Sequence, residues 1–285
     1  MRSLLTAATI SLAFTLFLTP LFIRLFEKLG WGQVIRTPEN AHNPNHQAKR
    51  GTPTMGGVIF IIGSIVGYLV GTLTGGAPPS ISGLLVIWMM VGLGAVGFID
   101  DYLKVRQQRS LGLSGWRKVV GQVLVAVPFG IVALNFPNRV AQTPASPYIS
   151  FFRDIPMLSF LALGAIIGSI AYLVWISFLS VAWSNATNLT DGLDGLATGA
   201  GIFTISAYSL VTFWQFQQRC TSEALVAAYQ AACYDTRDPM DLTIIAASFV
   251  GALVGFLWWN APKAKVFMGD VGSMAIGGVI VAMAV

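Results

Sequence analysis

Charged residues are scarce in this chain, and their scarcity excludes an ordinary soluble domain. Of its 285 residues only 10% are Asp, Glu, Lys or Arg, whereas 55% are hydrophobic and the mean hydropathy is +0.70. A soluble domain typically has about 25% charged residues. A hydrophobic chain with so few charges is not intrinsically disordered either. The composition therefore predicts an integral membrane protein, divided into spans rather than globular domains.

Cysteine and histidine are also rare, which limits the metal and redox chemistry of the protein. The two cysteines, Cys220 and Cys233, are too few for a disulfide framework and lack a C-x-x-C spacing. If they face an oxidising compartment they can pair, and two free thiols are an equally good interpretation. The two histidines, His42 and His46, lie in a polar segment without a cysteine nearby, so no zinc site is expected.

Long stretches without charged residues are abundant, and they locate the membrane spans. About 20 apolar residues cross a bilayer, and a charge at its centre is costly. We therefore predict an all-α, polytopic membrane protein with eight spans, the last of which is cut off by the end of the chain. A polar loop is predicted over 183–194. The predicted spans are 3–23, two within 51–99, 119–138, one ending near 182, 196–215, 242–259 and 271–285.

The distribution of basic residues predicts the orientation in the membrane. Loops around 24–50, 100–118, 183–195 and 260–270 hold 12 of the 17 Lys and Arg residues. Because cytoplasmic loops carry an excess of these residues, this side is predicted to be cytoplasmic and the N-terminus to be outside. Residues 216–241 then form an extracytoplasmic loop insertion. Topology explains the net positive charge, so no nucleic-acid partner is expected.

Two adjacent carboxylates, Asp100 and Asp101, lie at the predicted cytoplasmic end of the third span. Acids at a helix C-terminus are electrostatically unfavourable, and adjacent carboxylates repel one another. Lys104 follows three to four residues later, so its ammonium can pair with either acid or bind a phosphate. The pattern indicates a cation-binding or proton-transfer site. The alternative is an interfacial acid pair that Lys104 and water satisfy.

Two further polar segments lie on the same predicted side. Asp191 and Asp194 stand three residues apart before the sixth span, where they would share one face of a helical turn or simply cap the helix. Asp270 lies between Gly269 and Gly272, where exposed backbone can approach a phosphate closely. Mg²⁺ usually takes one or two carboxylates, waters and substrate phosphates. The three acidic segments therefore favour a magnesium site that binds a diphosphate.

Five motifs in chain order resemble the phospho-N-acetylmuramoyl-pentapeptide-transferase family. They are Lys49-Arg-Gly-Thr-Pro-Thr-Met-Gly-Gly57, Asp100-Asp-Tyr102, Gly112-Leu-Ser-Gly-Trp-Arg-Lys118, Asn185 to Gly195 and Phe267-Met-Gly-Asp270. The resemblance implies transfer of phospho-MurNAc-pentapeptide from UDP-MurNAc-pentapeptide to undecaprenyl phosphate. The products are lipid I and UMP, and the place is the cytoplasmic face of the bacterial inner membrane. Sister GlcNAc-1-phosphate transferases share the aspartate pairs, but the first and third motifs favour the muramoyl branch.

The resemblance also implies roles for individual residues. Asp270 is implied as a magnesium ligand, Asp100 and Asp101 as catalytic acids near the lipid phosphate, and Lys104 and Lys118 as phosphate partners. Asp100 acting as a base on the acceptor phosphate is the preferred mechanism, and a two-step route through an aspartate nucleophile stays open. The ring of Phe267 suits stacking on uracil. The rest of the implied substrate cleft is Lys49, Thr54, Asn188, Asp191, Gly192, Leu193, Asp194 and Asn260.

The resemblance also implies that a full-length family member has ten spans and a cytoplasmic loop with clustered histidines. We therefore expect residues 1–285 to form a single transferase domain that is truncated at its C-terminus. A transporter is the alternative from another class, because glycine-broken spans and acids suit one equally well. Its coupling acids would lie near the membrane midplane, whereas every acid here falls at a predicted span end or in a loop. The residues leave open whether the protein forms a homodimer.

Overall fold

The computed structural model describes residues 1–32, 51–76, 78–108, 112–138, 141–150, 154–220, 233 and 236–285. Seven of the helices in these ranges are long and apolar enough to cross a membrane, and the last helix is shorter, with 16 residues. The predicted all-α, polytopic architecture is confirmed. The helices are α1 (Arg2–Lys28), α2 (Gly57–Gly75), α3 (Ile81–Gln107), α4 (Gly115–Asn135), α5 (Ala165–Thr190), α6 (Leu196–Gln217), α7 (Pro239–Asn260) and α8 (Gly269–Ala284).

One small sheet interrupts the helices between α4 and α5. Strands β1 (Tyr148–Ser150) and β2 (Asp154–Ser159) pair in antiparallel register, with Tyr148 opposite Ser159. A single 3-10 turn follows and leads into α5. The sequence analysis did not predict this hairpin. Strand β2 begins at Asp154, and its other residues open the uncharged run 155–190 that contains the predicted fifth span. In such a short stretch apolar composition does not distinguish strand from helix.

The fifth helix is longer than predicted, and the prediction of a polar loop over 183–194 is wrong. Helix α5 continues to Thr190, and only the turn 191–195 separates it from α6. Hydroxyl groups in this stretch bond to the preceding helical turn. Thr187 Oγ1 donates to the carbonyl of Trp183 at 2.9 Å, and Thr190 Oγ1 donates to that of Ala186 at 2.9 Å. Polar side chains that satisfy themselves in this way are compatible with a continuing helix.

Successive helices run in opposite directions, so their termini collect at two ends of the bundle. The "basic end" is formed by the C-termini of α1, α3, α5 and α7 and by the N-termini of α2, α4, α6 and α8. Helix α8 packs mainly against α3 and α5, while α1 packs against α7 and α2. Residues 271–281 of α8 are all buried. Helix α8 therefore lies inside the bundle, and its first turn belongs to the basic end.

Helices α1 and α2 approach each other closely because glycines line their contact. A Cβ atom at Gly67 would lie 1.8 Å from Ser11 Oγ, and one at Gly71 would lie 2.6 Å from the Cβ of Ala7. Small residues at a four-residue spacing allow this approach between membrane helices. The contact holds the start of α2 beside the end of α1, where the segment before α2 enters the basic end.

The opposite end of the bundle contains a disulfide and a half-buried carboxylate that joins three elements. Cys220 and Cys233 form a disulfide bond, with their Cα atoms 4.9 Å apart. Of the two interpretations of these cysteines, the structure contains the disulfide rather than two free thiols. Asp241 of α7 accepts hydrogen bonds from the Tyr68 hydroxyl at 2.7 Å and from the Ser80 hydroxyl at 2.6 Å. These bonds join α2, the start of α3 and α7. Residues 221–232 of the predicted insertion lie outside the described ranges.

Candidate active site

Three carboxylates and two lysines meet at the basic end. Asp100 and Asp101 of α3 are buried, and Asp270 lies in the first turn of α8. One oxygen of each carboxylate lies within 4.8 Å of the others. Lys104 Nζ lies 2.6 Å from Asp100 Oδ2, 3.3 Å from Asp101 Oδ1 and 2.9 Å from Asp270 Oδ2. Lys118 Nζ, from α4, lies 2.9 Å from the same Asp270 oxygen. This carboxylate–lysine cluster brings together five of the predicted site residues.

The charges of the cluster make it attractive to a cation. When all five side chains are ionised, the three carboxylates exceed the two ammonium groups by one negative charge. Buried carboxylates that face one another repel strongly, because little solvent screens them. The Lys104 ammonium contacts all three acids, so it lies where a bound cation would be most strongly stabilised. Carboxylate oxygens are also the ligands that Mg²⁺ prefers.

Backbone N–H groups fix two of the carboxylates. Leu113 N donates to Asp100 Oδ1 at 2.7 Å, and Val271 N donates to Asp101 Oδ2 at 3.3 Å. Leu113 belongs to the segment before α4, so the motif that carries Lys118 also holds Asp100. With one oxygen of each carboxylate bonded to the backbone, the other oxygens are oriented toward Lys104.

The first turn of α8 fits against α2 and α3 only because glycines face it. A Cβ at Gly97 of α3 would lie 2.2 Å from the carbonyl oxygen of Asp270, and one at Gly57 would lie 2.2 Å from the Cα of Gly272. Gly269 has φ +73°, and a Cβ there would lie 2.4 Å from Asp101 Oδ2. Both close approach and left-handed backbone favour glycine. The position of Asp270 is therefore set by backbone packing.

Thr54 and Phe267 lie on two segments that are hydrogen-bonded to each other. Phe267 N donates to the carbonyl of Pro53 at 2.8 Å, and Gly56 N donates to the carbonyl of Phe267 at 2.9 Å. Thr54 is buried, and its N–H donates to the carbonyl of Trp31 at 2.9 Å. The segment that begins at 51 therefore lies alongside the segment that leads to Asp270. Lys49, also predicted for this cleft, lies outside the described residues.

Asn260 and Asn188 are bonded to other elements of the basic end. Asn260 is buried, accepts from the Thr198 hydroxyl at 2.7 Å and donates to the carbonyl of Val266 at 3.0 Å. Asn188 Nδ2 donates to Ser273 Oγ at 3.0 Å, one turn after Asp270 on α8. Asn188 therefore lies beside the cluster, whereas Asn260 holds the segment that leads to Phe267.

The turn 191–195 carries four more predicted residues. Asp194 Oδ2 accepts from the N–H of Ala264 at 3.4 Å, so this turn contacts the segment between α7 and α8. Gly192 is exposed, and Leu193 is 68% exposed, so both can contact a ligand outside the protein core. The turn is not helical, so the shared face of a helical turn considered for Asp191 and Asp194 is not present. Both acids nevertheless accept from backbone N–H groups of the stretch 264–269, Asp194 from Ala264 and Asp191 from Gly269.

Asp191 begins this turn and lies near enough to Asp101 and Asp270 to interact with their charges. The pKa of Asp191 is raised to about 8, most strongly by burial and then by the negative charges of Asp101, Asp270 and Asp194, while the N–H of Gly269 acts to lower it. A carboxyl group with these neighbours adds a fourth acid to the edge of the cluster. At neutral pH its neutral form is favoured as long as no further cation is bound.

We expect an Asp191→Asn variant to make the stability of the metal-free protein less dependent on pH. Folding raises the pKa of Asp191 from 3.8 to about 8, so between these values the folded state holds a proton that the unfolded state has released. Stability is therefore lost as the pH rises through this window. In EDTA, the wild-type protein should melt several degrees lower at about pH 9 than at about pH 6. An equal fall in the variant, measured by thermal unfolding in detergent, would contradict this account.

Sequence reasoning missed several residues that build the site. Ser273 of α8 and Gln122 of α4 are buried polar residues that face α5, and Gly97 allows α8 to reach α3. Ser273 and Gly97 are ordinary residues of apolar spans, and a single sequence does not show which helices they face. Gln122 carried a usable signal, because an uncharged amide inside a span needs a partner.

Comparison with known proteins places the chain in a family. The model of Glycosyl transferase family 4 matches residues 83–285, and that of the Phospho-N-acetylmuramoyl-pentapeptide-transferase signature 1 matches residues 49–61. The first match covers α3 to α8, with every acid and lysine of the cluster. The second covers the segment that contains Thr54 and leads into α2.

Similar proteins include several that carry the name phospho-N-acetylmuramoyl-pentapeptide-transferase. The one from Clavibacter michiganensis is 53% identical over 293 residues, covering 100% of this chain and 78% of the relative. Those from Beutenbergia cavernae and Streptomyces griseus are 47% and 46% identical, each covering 100% of this chain and 77% of the relative. The chain therefore belongs to the phospho-N-acetylmuramoyl-pentapeptide-transferase family, within glycosyl transferase family 4.

Proposed function

We propose that this protein transfers phospho-MurNAc-pentapeptide from UDP-MurNAc-pentapeptide to undecaprenyl phosphate in peptidoglycan biosynthesis. The products are lipid I and UMP. Family membership supports the reaction, and the carboxylate–lysine cluster is the observation that carries the proposal. Transfer between two phosphates needs little covalent help from the protein, but it needs charge neutralisation and positioning. A cluster of fixed acids and lysines at a helix end supplies both.

Asp270, Asp100 and Asp101 are proposed to hold a magnesium ion. The fit rests on the donor set, because three carboxylate oxygens within 4.8 Å of one another already surround a positive ammonium group. Of the three acids, Asp270 is the least buried and is the proposed principal ligand. When bound, Mg²⁺ supplies positive charge that stabilises the phosphate oxygens. Removal of divalent cations with EDTA is therefore expected to stop transfer.

Asp100 is proposed to act as the base. It accepts the proton of the acceptor phosphate, whose oxygen attacks the phosphorus that carries the sugar, and the bond to the UMP oxygen breaks. Lys104 and Lys118 are proposed to neutralise the charge on the phosphates. Both ammonium groups lie 2.9 Å from Asp270, so they are next to the proposed metal ligand, where the phosphates would bind. Asp101, held by the N–H of Val271, keeps Lys104 in place.

The two-step alternative, with an aspartate as nucleophile, makes a different prediction. A covalent phosphoryl-aspartate would release UMP without any acceptor, in an amount that does not exceed the amount of enzyme. Direct attack by the acceptor phosphate releases UMP only when undecaprenyl phosphate is present. Rapid quenching with the donor alone distinguishes the two routes.

The donor nucleotide is proposed to bind between the turn 191–195 and the segment 260–268. Phe267 is the proposed stacking partner for uracil. Asp194 joins the two segments that would enclose it, and Asn260 fixes the shape of the second segment through its bond to Val266. The other proposed contacts of the nucleotide and sugar phosphate are Lys49, Thr54, Asn188, Asp191, Gly192 and Leu193.

The basic end is proposed to face the cytoplasm. The excess of Lys and Arg in its loops supports this orientation, since 12 of 17 lie there. The Cys220–Cys233 disulfide at the opposite end supports it independently, because disulfides persist in oxidising, extracytoplasmic compartments. The protein would then take its nucleotide substrate from the cytoplasm and leave its product in the membrane.

Release of UMP tests the proposed function. The purified protein in detergent is given undecaprenyl phosphate and Mg²⁺ with either UDP-MurNAc-pentapeptide or UDP-GlcNAc. We expect UMP and a lipid-linked product from the first donor only. Turnover of UDP-GlcNAc alone would assign the protein to the sister transferases, and no UMP from either donor would contradict the proposal.

A further inference from the structure

A buried polar contact joins α4 to α5 inside the membrane region. Gln122 of α4 is 0% exposed, and both ends of its amide are bonded to α5. Its Nε2 donates to Ser184 Oγ at 2.9 Å, and its Oε1 accepts from Asn185 Nδ2 at 3.3 Å. An amide buried without partners carries a large desolvation penalty, so the bonds of Gln122 to α5 are strongly favoured. Gln122 therefore fixes the relative position of the two helices.

The same part of α5 is also fixed to α8. A Cβ at Gly277 of α8 would lie 2.5 Å from the Cα of Ser184, so the two backbones are in contact there. Closer to the basic end, Thr187 Oγ1 donates to the carbonyl of Ser273 at 2.7 Å, and Asn188 donates to its hydroxyl at 3.0 Å. Helix α5 thus bridges α4 and α8 through polar contacts on successive turns.

Both ends of this bridge lie one turn from the carboxylate–lysine cluster. Gln122 follows Lys118 by four residues on α4, so the two side chains share a helix face. Ser273 follows Asp270 by three residues on α8. The Lys118–Asp270 ion pair, at 2.9 Å, joins α4 to α8. The polar contacts of α5 with both helices therefore set the separation across which this pair forms.

We propose that Gln122 is a positioning residue, which holds Lys118 at the correct distance from Asp270 by tying α4 to α5. The proposal rests on the proposed function, because it assigns Gln122 to the same transfer reaction. Gln122 does not touch the substrate in this account. Its loss moves Lys118 relative to Asp270, and displacements of about 1 Å can cost about 10²-fold in rate.

The chain offers a matched control at the opposite end of the bundle. Thr243 Oγ1 of α7 donates to Thr212 Oγ1 of α6 at 2.9 Å, and both residues are buried. A Thr212→Val variant removes an interhelical hydrogen bond of the same kind, far from the cluster. A single interhelical hydrogen bond contributes only modestly to the stability of a membrane protein, so both variants are expected to fold.

The first test compares Gln122→Met with Thr212→Val. We expect Gln122→Met to lower kcat for UMP release at least about 10-fold, with the KM for the donor nearly unchanged. Thr212→Val should keep wild-type kcat at a similar melting temperature. A Ser184→Ala change should reduce kcat little further in the Gln122→Met background, because the contact is already lost. Equal kcat in Gln122→Met and Thr212→Val would overturn the proposal.

The second test measures the proximity of positions 118 and 270 independently of enzymatic activity. Lys118→Cys and Asp270→Cys are combined, and a short bifunctional thiol reagent links the two new cysteines. Linking should be several-fold slower when Gln122→Met is added and unchanged when Thr212→Val is added. If the wild-type protein releases no UMP but linking depends on Gln122, the proposed function fails and the positioning role stands. If UMP is released but linking does not depend on Gln122, the positioning role fails.

Discussion

Replacing Asp270 with asparagine is expected to lower the rate of UMP release by about 10³-fold. The variant keeps the size of the side chain but removes the charge that Lys104 and Lys118 both contact at 2.9 Å. Without it, the two ammonium groups repel each other and the cluster loses its proposed principal magnesium ligand. The measurement is the initial rate of UMP release at saturating donor and acceptor, over a range of Mg²⁺ concentrations.

Glu27→Gln is the control for this experiment. Glu27 is an exposed acid in the last turn of α1, at the same end of the bundle, and it lies outside the cluster. The Glu27→Gln variant also removes one negative charge and is expected to leave the rate of UMP release unchanged. A rate within about tenfold of wild type for Asp270→Asn would contradict the proposed role of Asp270, since loss of one such electrostatic contact typically costs about 10²-fold or more.

A Gly97→Ala variant is expected to lose activity by at least about 10²-fold, although Gly97 carries no functional group. The added methyl would lie 2.2 Å from the carbonyl oxygen of Asp270 and 2.6 Å from the N of Val271, so the first turn of α8 must shift. Overpacking of this kind also costs about 1–3 kcal/mol of stability. The measurements are kcat for UMP release and the melting temperature in detergent.

Gly199→Ala provides the comparison for Gly97→Ala. Gly199 lies in α6, and a Cβ there would have no heavy atom within 4 Å. This variant is expected to keep activity and melt at or slightly above the wild-type temperature, because alanine favours helix. If Gly97→Ala were as active as Gly199→Ala, the close contact of α3 and α8 would not determine the position of Asp270.

Much of the fold follows from the sequence because the membrane imposes a simple rule. Uncharged stretches of about 20 residues located the spans, and each predicted span corresponds to a helix. The boundary of α5 was wrong because Thr187 and Thr190 satisfy their hydroxyls within the helix, so polar composition does not end it. The hairpin of β1 and β2 was missed because its strands are short and have no distinct periodicity.

The candidate site was predictable where charge marks it and not where packing builds it. Asp100, Asp101, Lys104, Lys118 and Asp270 stand out because charges are rare in this chain, and the structure brings them together. The contacts that position them depend on which helices are neighbours, and a single sequence does not contain that information. The roles of Gly97 and Ser273 therefore follow only from the packing of α3 and α5 against α8, whereas Gln122 is marked in the sequence as an amide inside a span.

Binding of Mn²⁺, used as a spectroscopic substitute for Mg²⁺, tests the central claim most directly, because the claim is that the carboxylate–lysine cluster holds a divalent cation. Electron paramagnetic resonance counts the free ion as Mn²⁺ is added to the wild-type protein, Asp270→Asn and Glu27→Gln. We expect Mn²⁺ binding that Mg²⁺ displaces in the wild-type protein and in Glu27→Gln, and loss of that binding in Asp270→Asn. Equal binding in all three proteins would show that the cation is held elsewhere and would contradict the account.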